Sequence, residues 1–414
     1  MSTQTETANA ESVTAPAVPV WRDSKRYMWL WGLFAPSALA IALPLIWTLN
    51  SIGWSPVAHV LWWLGPVLVY ILIPIADLFF GPDGANPPDE VMEYLENDKF
   101  YRYLTYAFVP LQYATLVAAC YLITANDLSW LGLDGGLSVV DKIGLAITVG
   151  CIGGVGINTA HELGHKKVDM ERWISRITLA QTFYGHFYVE HNRGHHVRVA
   201  TPEDPASSRF GETFWAFWPR TVSGSFTSGW NVEKTRLQRL GKGPWTIKNE
   251  VLSAWLMSVV LFGALVAIFG IELLPYLLLQ ALIGFSLLEA VNYLEHYGLC
   301  RQKLASGRYE RPAPEHSWNS DHIVTNIFLY HLQRHSDHHA YPTRRYQTLR
   351  SWDGAPNLPS GYASMILIAY FPPIWRKVMD PRVLAHYDGD ITKANIDPKK
   401  RAKVLARYGV TESA

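Results

Sequence analysis

Only three cysteines stand among the 414 residues, Cys120, Cys151 and Cys300, and no two form a Cys-x-x-Cys pair. That count excludes a disulfide scaffold and a four-thiolate iron–sulfur centre. Cys120 and Cys151 lie in apolar stretches and read as small buried hydrophobes. Charge is also sparse. Asp, Glu, Lys and Arg make up 17% of the chain, against about 25% in an ordinary soluble domain. The formal net charge is +1, so no nucleic-acid partner is implied. Residues 1–20 have neither the basic start nor the apolar core of a cleavable signal peptide. What is abundant is apolar and aromatic: 49% of residues are hydrophobic, with 17 Trp and 21 Tyr. Such rings suit a membrane interface, where an amphipathic side chain settles at headgroup depth.

Six apolar runs are long enough to cross a bilayer as helices. They cover about Tyr27–Leu49, Val57–Phe80, Tyr101–Thr124, Ile143–Ala160, Val251–Phe269 and Ile271–Ala290. The expected fold is an all-α integral membrane protein: six transmembrane helices with a cytoplasmic histidine-rich helical and loop domain. A disordered tail is expected over 1–24, and spans one to four within 25–160. A polar segment over 161–250, a span hairpin over 251–290, a second polar segment over 291–385 and a C-terminal tail over 386–414 follow. Gly81–Lys99, broken at Pro87-Pro88, reads as a loop. Tyr362–Trp375 is too short to span and reads as interfacial or core. The three loops facing away from the polar segments, about 50–56, 125–142 and 270, hold one basic residue, Lys142, of 36 Lys and Arg. Arg22, Lys25 and Arg26 flank the first span on the other side. The positive-inside rule therefore predicts that the polar segments and both termini are cytoplasmic.

Thirteen of the fifteen histidines fall within 161–196 and 296–339. His161-Glu-Leu-Gly-His165 and His191-Asn-Arg-Gly-His195 place rings at i, i+4, with His196 added. His335, His338 and His339 give i, i+3, i+4, each set on one helical face. His296 stands alone past the sixth span. Neutral imidazole is the commonest metal ligand, and eight or nine such rings are too many for one ion, so the spacing predicts two metals. Ligand type alone leaves iron, copper and zinc open. His161–His165 also fits the H-E-x-x-H of zinc proteases, with Glu162 as general base. That reading leaves the other boxes unused. His186, His316, His322 and His331 lack motif partners and read as supporting or surface residues; His59 and His386 carry no signal.

These boxes resemble those of the membrane fatty-acid desaturase and hydroxylase superfamily. Asn292-Tyr-Leu-Glu-His-Tyr-Gly-Leu299 is similar to the extra box of its alkane and xylene monooxygenase branch. Leu332–Tyr346 is similar to the membrane alkane 1-monooxygenases. The resemblance implies a non-haem di-iron enzyme with two Fe ions bound by His161, His165, His191, His195, His196, His296, His335, His338 and His339. It further implies insertion of one oxygen atom of O2 into a terminal methyl of medium-chain n-alkanes. A xylene or aromatic-methyl monooxygenase, or a fatty-acyl desaturase, would use the same boxes. The implied electron donor is rubredoxin on the cytoplasmic face, separate or fused in the full-length protein, and the implied location is a bacterial inner membrane.

No catalytic side chain is expected beyond the metal ligands themselves. A cationic cluster calls for carboxylates on the ring N–H groups, and Glu162, Glu190, Glu295 and Asp337 stand beside ligands, with Asp204 and Asp321 further off. Glu289, one or two turns before His296, is expected to point at the metals, since an ionisable group in a span is costly elsewhere. An unactivated alkane offers no hydrogen-bonding handle, so an apolar channel must select its end by shape. Leu78 and Phe79 on the second span are the candidates to line it. With no flavin fingerprint, electrons come from outside. Arg301, Lys303, Arg308, Arg311, Arg344, Arg345 and Arg350 would attract an acidic carrier.

Overall fold

The computed structural model describes residues 21–410; residues 1–20, most of the expected tail, and 411–414 lie outside them. Among the described residues the chain is helical throughout, with isolated bridges and no strand. Six helices are long and apolar enough to cross a membrane: Met28–Ser51, Ser55–Phe80, Lys99–Thr124, Val139–Gly164, Glu250–Phe269 and Ile271–His296. Polar caps start three of them, each satisfying backbone N–H groups that have no partner within the helix. Asp98 accepts from Phe100, Ser138 from Asp141, and Asn249 from Val251 and Leu252.

The fourth span is the most enclosed, because small residues let its neighbours approach closely. A Cβ at Gly150 would sit 2.7 Å from Ile283 Cβ of the sixth span, and one at Gly65 of the second span 2.6 Å from Thr148 Cα. The second span is the least enclosed. Pro66 and Pro74 cost it backbone donors, and it passes through a 3₁₀ turn at Leu61–Trp63 and a π turn at Leu68–Leu72. Its inner end is tied down by Asp77, which is buried and accepts from the Thr325 N–H (3.0 Å) and hydroxyl.

Two apolar cores stack along the spans. Leu39, Ile46, Trp62, Leu116, Leu145 and Phe262 pack between spans at one end. Phe210, Tyr293, Tyr297, Trp375, Met379 and Val383 pack beyond them at the histidine end. Two expectations are corrected here and one is narrowed. The 81–99 loop contains the helix Met92–Asn97, anchored by buried Leu95. Tyr362–Trp375 belongs to the core through the helices Tyr362–Ala369 and Pro372–His386. The described part of the 386–414 tail is built in: Ile391, Ile396, Val404 and Leu405 are buried, and Phe210 exchanges backbone hydrogen bonds with Asn395 and Asp397. Apolar side chains spread among Lys and Arg gave that segment no visible periodicity.

Candidate metal centre

The fourth span runs on past its expected end to Gly164, so His161 lies in its last turn and His165 caps it. Their rings meet edge to face, with centroids 4.8 Å apart. The second box departs from the expected α-helical spacing. His191–His195 form a π turn, in which residues five apart align. His191 and His196 therefore face each other, Nε2 to Nε2, at 3.1 Å, while His195 turns away. Gly194 is required there, because a Cβ would lie 1.9 Å from Glu190 Oε2. The short helix His335–Ala340 splits likewise. His338 Nε2 lies 2.9 Å from His161 Nε2, and His335 and His339 pair at 2.9 Å on the other side.

All nine histidines thus gather in two groups. One holds His161, His165, His191, His196 and His338; the other His195, His296, His335 and His339. Within each, one ligand atom per residue lies within 4.8 Å of the others. The donors fit metal ions. His195 Nδ1 bonds Asp204 Oδ2 at 2.9 Å and His296 Nδ1 bonds the His316 carbonyl at 3.3 Å, while His335 Nδ1 lies 3.2 Å from Glu295 Oε1 outside hydrogen-bonding geometry. In His195 and His296 Nδ1 carries the proton, so Nε2 is a bare lone pair in the neutral ring. His296 Nε2 and His335 Nε2 point at each other across 3.3 Å. An N–metal bond of about 2.0–2.1 Å sets tetrahedral neighbours roughly 3.3 Å apart. His165 Nε2 and His195 Nε2 are buried and lack any partner among the described residues.

Burial and neighbouring rings hold His165, His191, His196, His335, His338 and His339 well below the usual histidine value, in the neutral form that binds metal. His195 is the exception: burial lowers it, but the charge and hydrogen bond of Asp204 outweigh that and raise it. Asp204 is correspondingly pushed down to about 2, against its own burial.

The other carboxylates do different work from that expected. Glu162 pairs with Lys166 at 3.0 Å and takes the Tyr346 N–H, which makes it a poor general base. Glu190 bonds Arg198 at 3.1 Å and is pushed up to about 7, mainly by burial. Asp337 accepts from Arg344, Trp352 Nε1 and the Arg350 N–H, and Asp321 accepts from Ser351 and pairs with Arg334 at 3.5 Å. Glu289 is held by Tyr184, Thr221 and Asn292 rather than by a ring of either group. His331 bonds the Tyr346 carbonyl and His316 bonds Glu310. His322 bonds Ser320, while buried His186 lies edge-on to Tyr184 and is lowered to about 4. Arg301 and Arg345 are buried, bonded to backbone carbonyls and to Glu171 respectively. That removes them from the expected basic surface; Lys303, Arg308 and Arg311 remain exposed.

An apolar cavity rises from the histidines between the first, second, fourth and sixth spans. His161, His191, His335, Glu295 and Asn292 line one end; Gly65, Thr148 and Cys151 line the other. From His161 to Thr148 the fourth span rises about 20 Å at 1.5 Å per residue. The second span contributes Leu68, Val69 and Ile73. Leu78 and Phe79, the expected channel residues, are 74% and 82% exposed and do not reach it. They lie past the π turn, on the outward face. Sequence reasoning missed Asn158, whose signal was a polar amide one turn before His161 in an apolar run.

The fatty acid desaturase family matches residues 142–368. The alkane 1-monooxygenase of Acinetobacter baylyi is 50% identical over 94% of this chain and 92% of its own length. That of Pseudomonas putida is 42% identical over 97% and 96%. The chain belongs to the membrane alkane 1-monooxygenase family. The xylene/toluene monooxygenase hydroxylase component XylM of Pseudomonas putida is more distant from this alkane 1-monooxygenase family member, at 26% identity over 55% of the chain and 60% of its own length.

Proposed function

We propose that the nine histidines hold two iron ions, and that the protein hydroxylates the terminal methyl of medium-chain n-alkanes with O2, using electrons from rubredoxin. The observation that carries this reading is the pair of converging histidine groups at the polar end of an apolar cavity. The five-membered group would hold one ion and the four-membered group the other. When bound, such a pair supplies O2 activation and oxidation of an unactivated C–H bond.

The chain's own residues do the rest. Asp204 and the His316 carbonyl orient His195 and His296 through Nδ1 and keep Nε2 free. The cavity wall excludes water and admits a chain end-on, so the methyl arrives first at His161, His191 and His335. No Lys or Arg lines it among the described residues, so nothing there would compensate a substrate carboxylate. This favours a hydrocarbon over a free fatty acid. Rubredoxin is supported by the need for an outside donor and by exposed Lys303, Arg308 and Arg311. A cytoplasmic site in an inner membrane is supported by connections 52–54, 125–138 and 270, which carry no Lys or Arg.

Metal analysis, and octane turnover with rubredoxin and its reductase, test the reading. Two irons per chain and 1-octanol as product are expected. A single zinc, or no octanol from protein loaded with two irons, overturns it.

A further inference from the structure

Asn158 stands one turn before His161 in the fourth span, and Asn292 one turn before His296 in the sixth. Both are buried, and both line the cavity near its histidine end. A side-chain amide has an NH2 donor end and a carbonyl acceptor end, and here both donor ends are committed. Asn158 Nδ2 donates to the Leu329 carbonyl at 2.7 Å, and Asn292 Nδ2 to Glu289 Oε2 at 3.1 Å. The Leu329 carbonyl can only accept. Glu289 already takes hydroxyl donors from Tyr184 at 2.7 Å and Thr221 at 2.8 Å. Turning either amide over would set oxygen against oxygen, so each Oδ1 is left over. Among the described residues no donor reaches either oxygen, and neither oxygen is sealed away from open space. Of the other polar groups on the wall there, the Thr325 hydroxyl is taken by Asp77, and Glu295 Oε1 lies against His335 Nδ1 at 3.2 Å.

An acceptor without a donor in an apolar wall is costly, and a ligand bearing an O–H relieves it. An alkane has none; a primary alcohol has one. We propose that Asn158 Oδ1 and Asn292 Oδ1 are free acceptors, either of which takes the single hydroxyl proton of a primary alcohol at the histidine end of the cavity. An aldehyde of equal length, whose carbonyl can only accept, is disfavoured. The inference rests on the proposed alkane hydroxylation only for the origin of that alcohol; the recognition itself is a binding equilibrium. Glu289 acts through Asn292 and is a positioning residue.

The test is equilibrium binding of 1-octanol and octanal to the metal-loaded protein in lipid nanodiscs, without reductant. The wild type should bind 1-octanol about fivefold more tightly than octanal, the factor carried by one neutral hydrogen bond. Asn158→Leu and Asn292→Leu should each move that ratio toward one. Glu289→Gln keeps an oxygen for Asn292 and Thr221 with its NH2 against the Tyr184 hydroxyl and should preserve the ratio, whereas Glu289→Leu takes the acceptor from Asn292 Nδ2, frees that amide to turn over and should lower the ratio. A purely structural role for Glu289 would weaken both ligands alike. Equal binding of the two ligands by wild type overturns the proposal, as does a ratio unchanged in both leucine variants. If those variants fail to fold, the wild-type ratio and the contrast between Glu289→Gln and Glu289→Leu decide. Wild-type protein that binds octanol preferentially yet never converts octane would sink the proposed function and leave the acceptors standing.

Discussion

Every ring of the group formed by His195, His296, His335 and His339 is buried, and two of the four, His195 and His296, have Nδ1 hydrogen-bonded to a carboxylate or carbonyl. In the group of His161, His165, His191, His196 and His338, two rings are half-exposed. Rings there pack on one another and on Phe187, which stacks on His191 at 4.7 Å. One group is oriented by hydrogen bonds from outside the ring set, the other by packing and by one extra member. A ring whose Nδ1–H is held has its tautomer and rotation set before a metal arrives. The four-membered group should therefore bind the more tightly per ring and tolerate loss the less.

The largest expected effect follows directly. His335→Ala leaves three rings in the smaller group and should remove one metal per chain, with activity down more than about 100-fold, beyond the 10–100-fold typical of an outer partner. His165→Ala leaves four rings in the larger group and should retain more metal. Equal metal loss in both variants would erase the contrast. Next comes Asp204→Asn, expected to weaken metal binding at the smaller group about 10–100-fold by chelator competition. Glu162→Gln, whose carboxylate bonds Lys166 and not a ring, should change it little.

Acidification separates the groups by sign. The lowered rings stay neutral when folded, while unfolded rings take protons near the ordinary histidine value of about 6.5. Their contribution is complete above that pH and is lost as pH falls below it, at up to about 1.4 kcal/mol per pH unit for each ring. His195, raised by Asp204, contributes oppositely: its stabilisation is present at acid pH and is lost as pH rises through its folded value. The melting temperature of metal-free protein should therefore fall between pH 6.5 and 5, and more steeply in Asp204→Asn. A flat profile would mean that the rings are not held neutral. The smallest effect lies farthest from both groups. Leu78→Trp, on the exposed face, should leave the chain-length profile of products unchanged, whereas Cys151→Phe, in the cavity wall, should shift it to shorter alkanes.

Two features were legible without coordinates, the spans and the nine histidines that converge, because each is a local pattern. Some twenty apolar residues in a row have few alternatives to crossing a bilayer, and imidazoles at i, i+4 are neighbours in any helix. The division of the rings was not legible. His195 parts from His191 because a π turn replaces an α turn, and His338 parts from His335 because its helix lies between the two groups. Which carboxylate meets which ring was equally hidden. Of the carboxylates beside ligands in sequence, Glu162, Glu190 and Asp337 bond elsewhere and Glu295 lies against His335, while the more distant Asp204 bonds His195, since the direction of a side chain depends on its partners. Leu78 and Phe79 misled for the same reason: composition places a residue in a span, but only the packing of neighbouring helices decides which face meets lipid and which meets substrate.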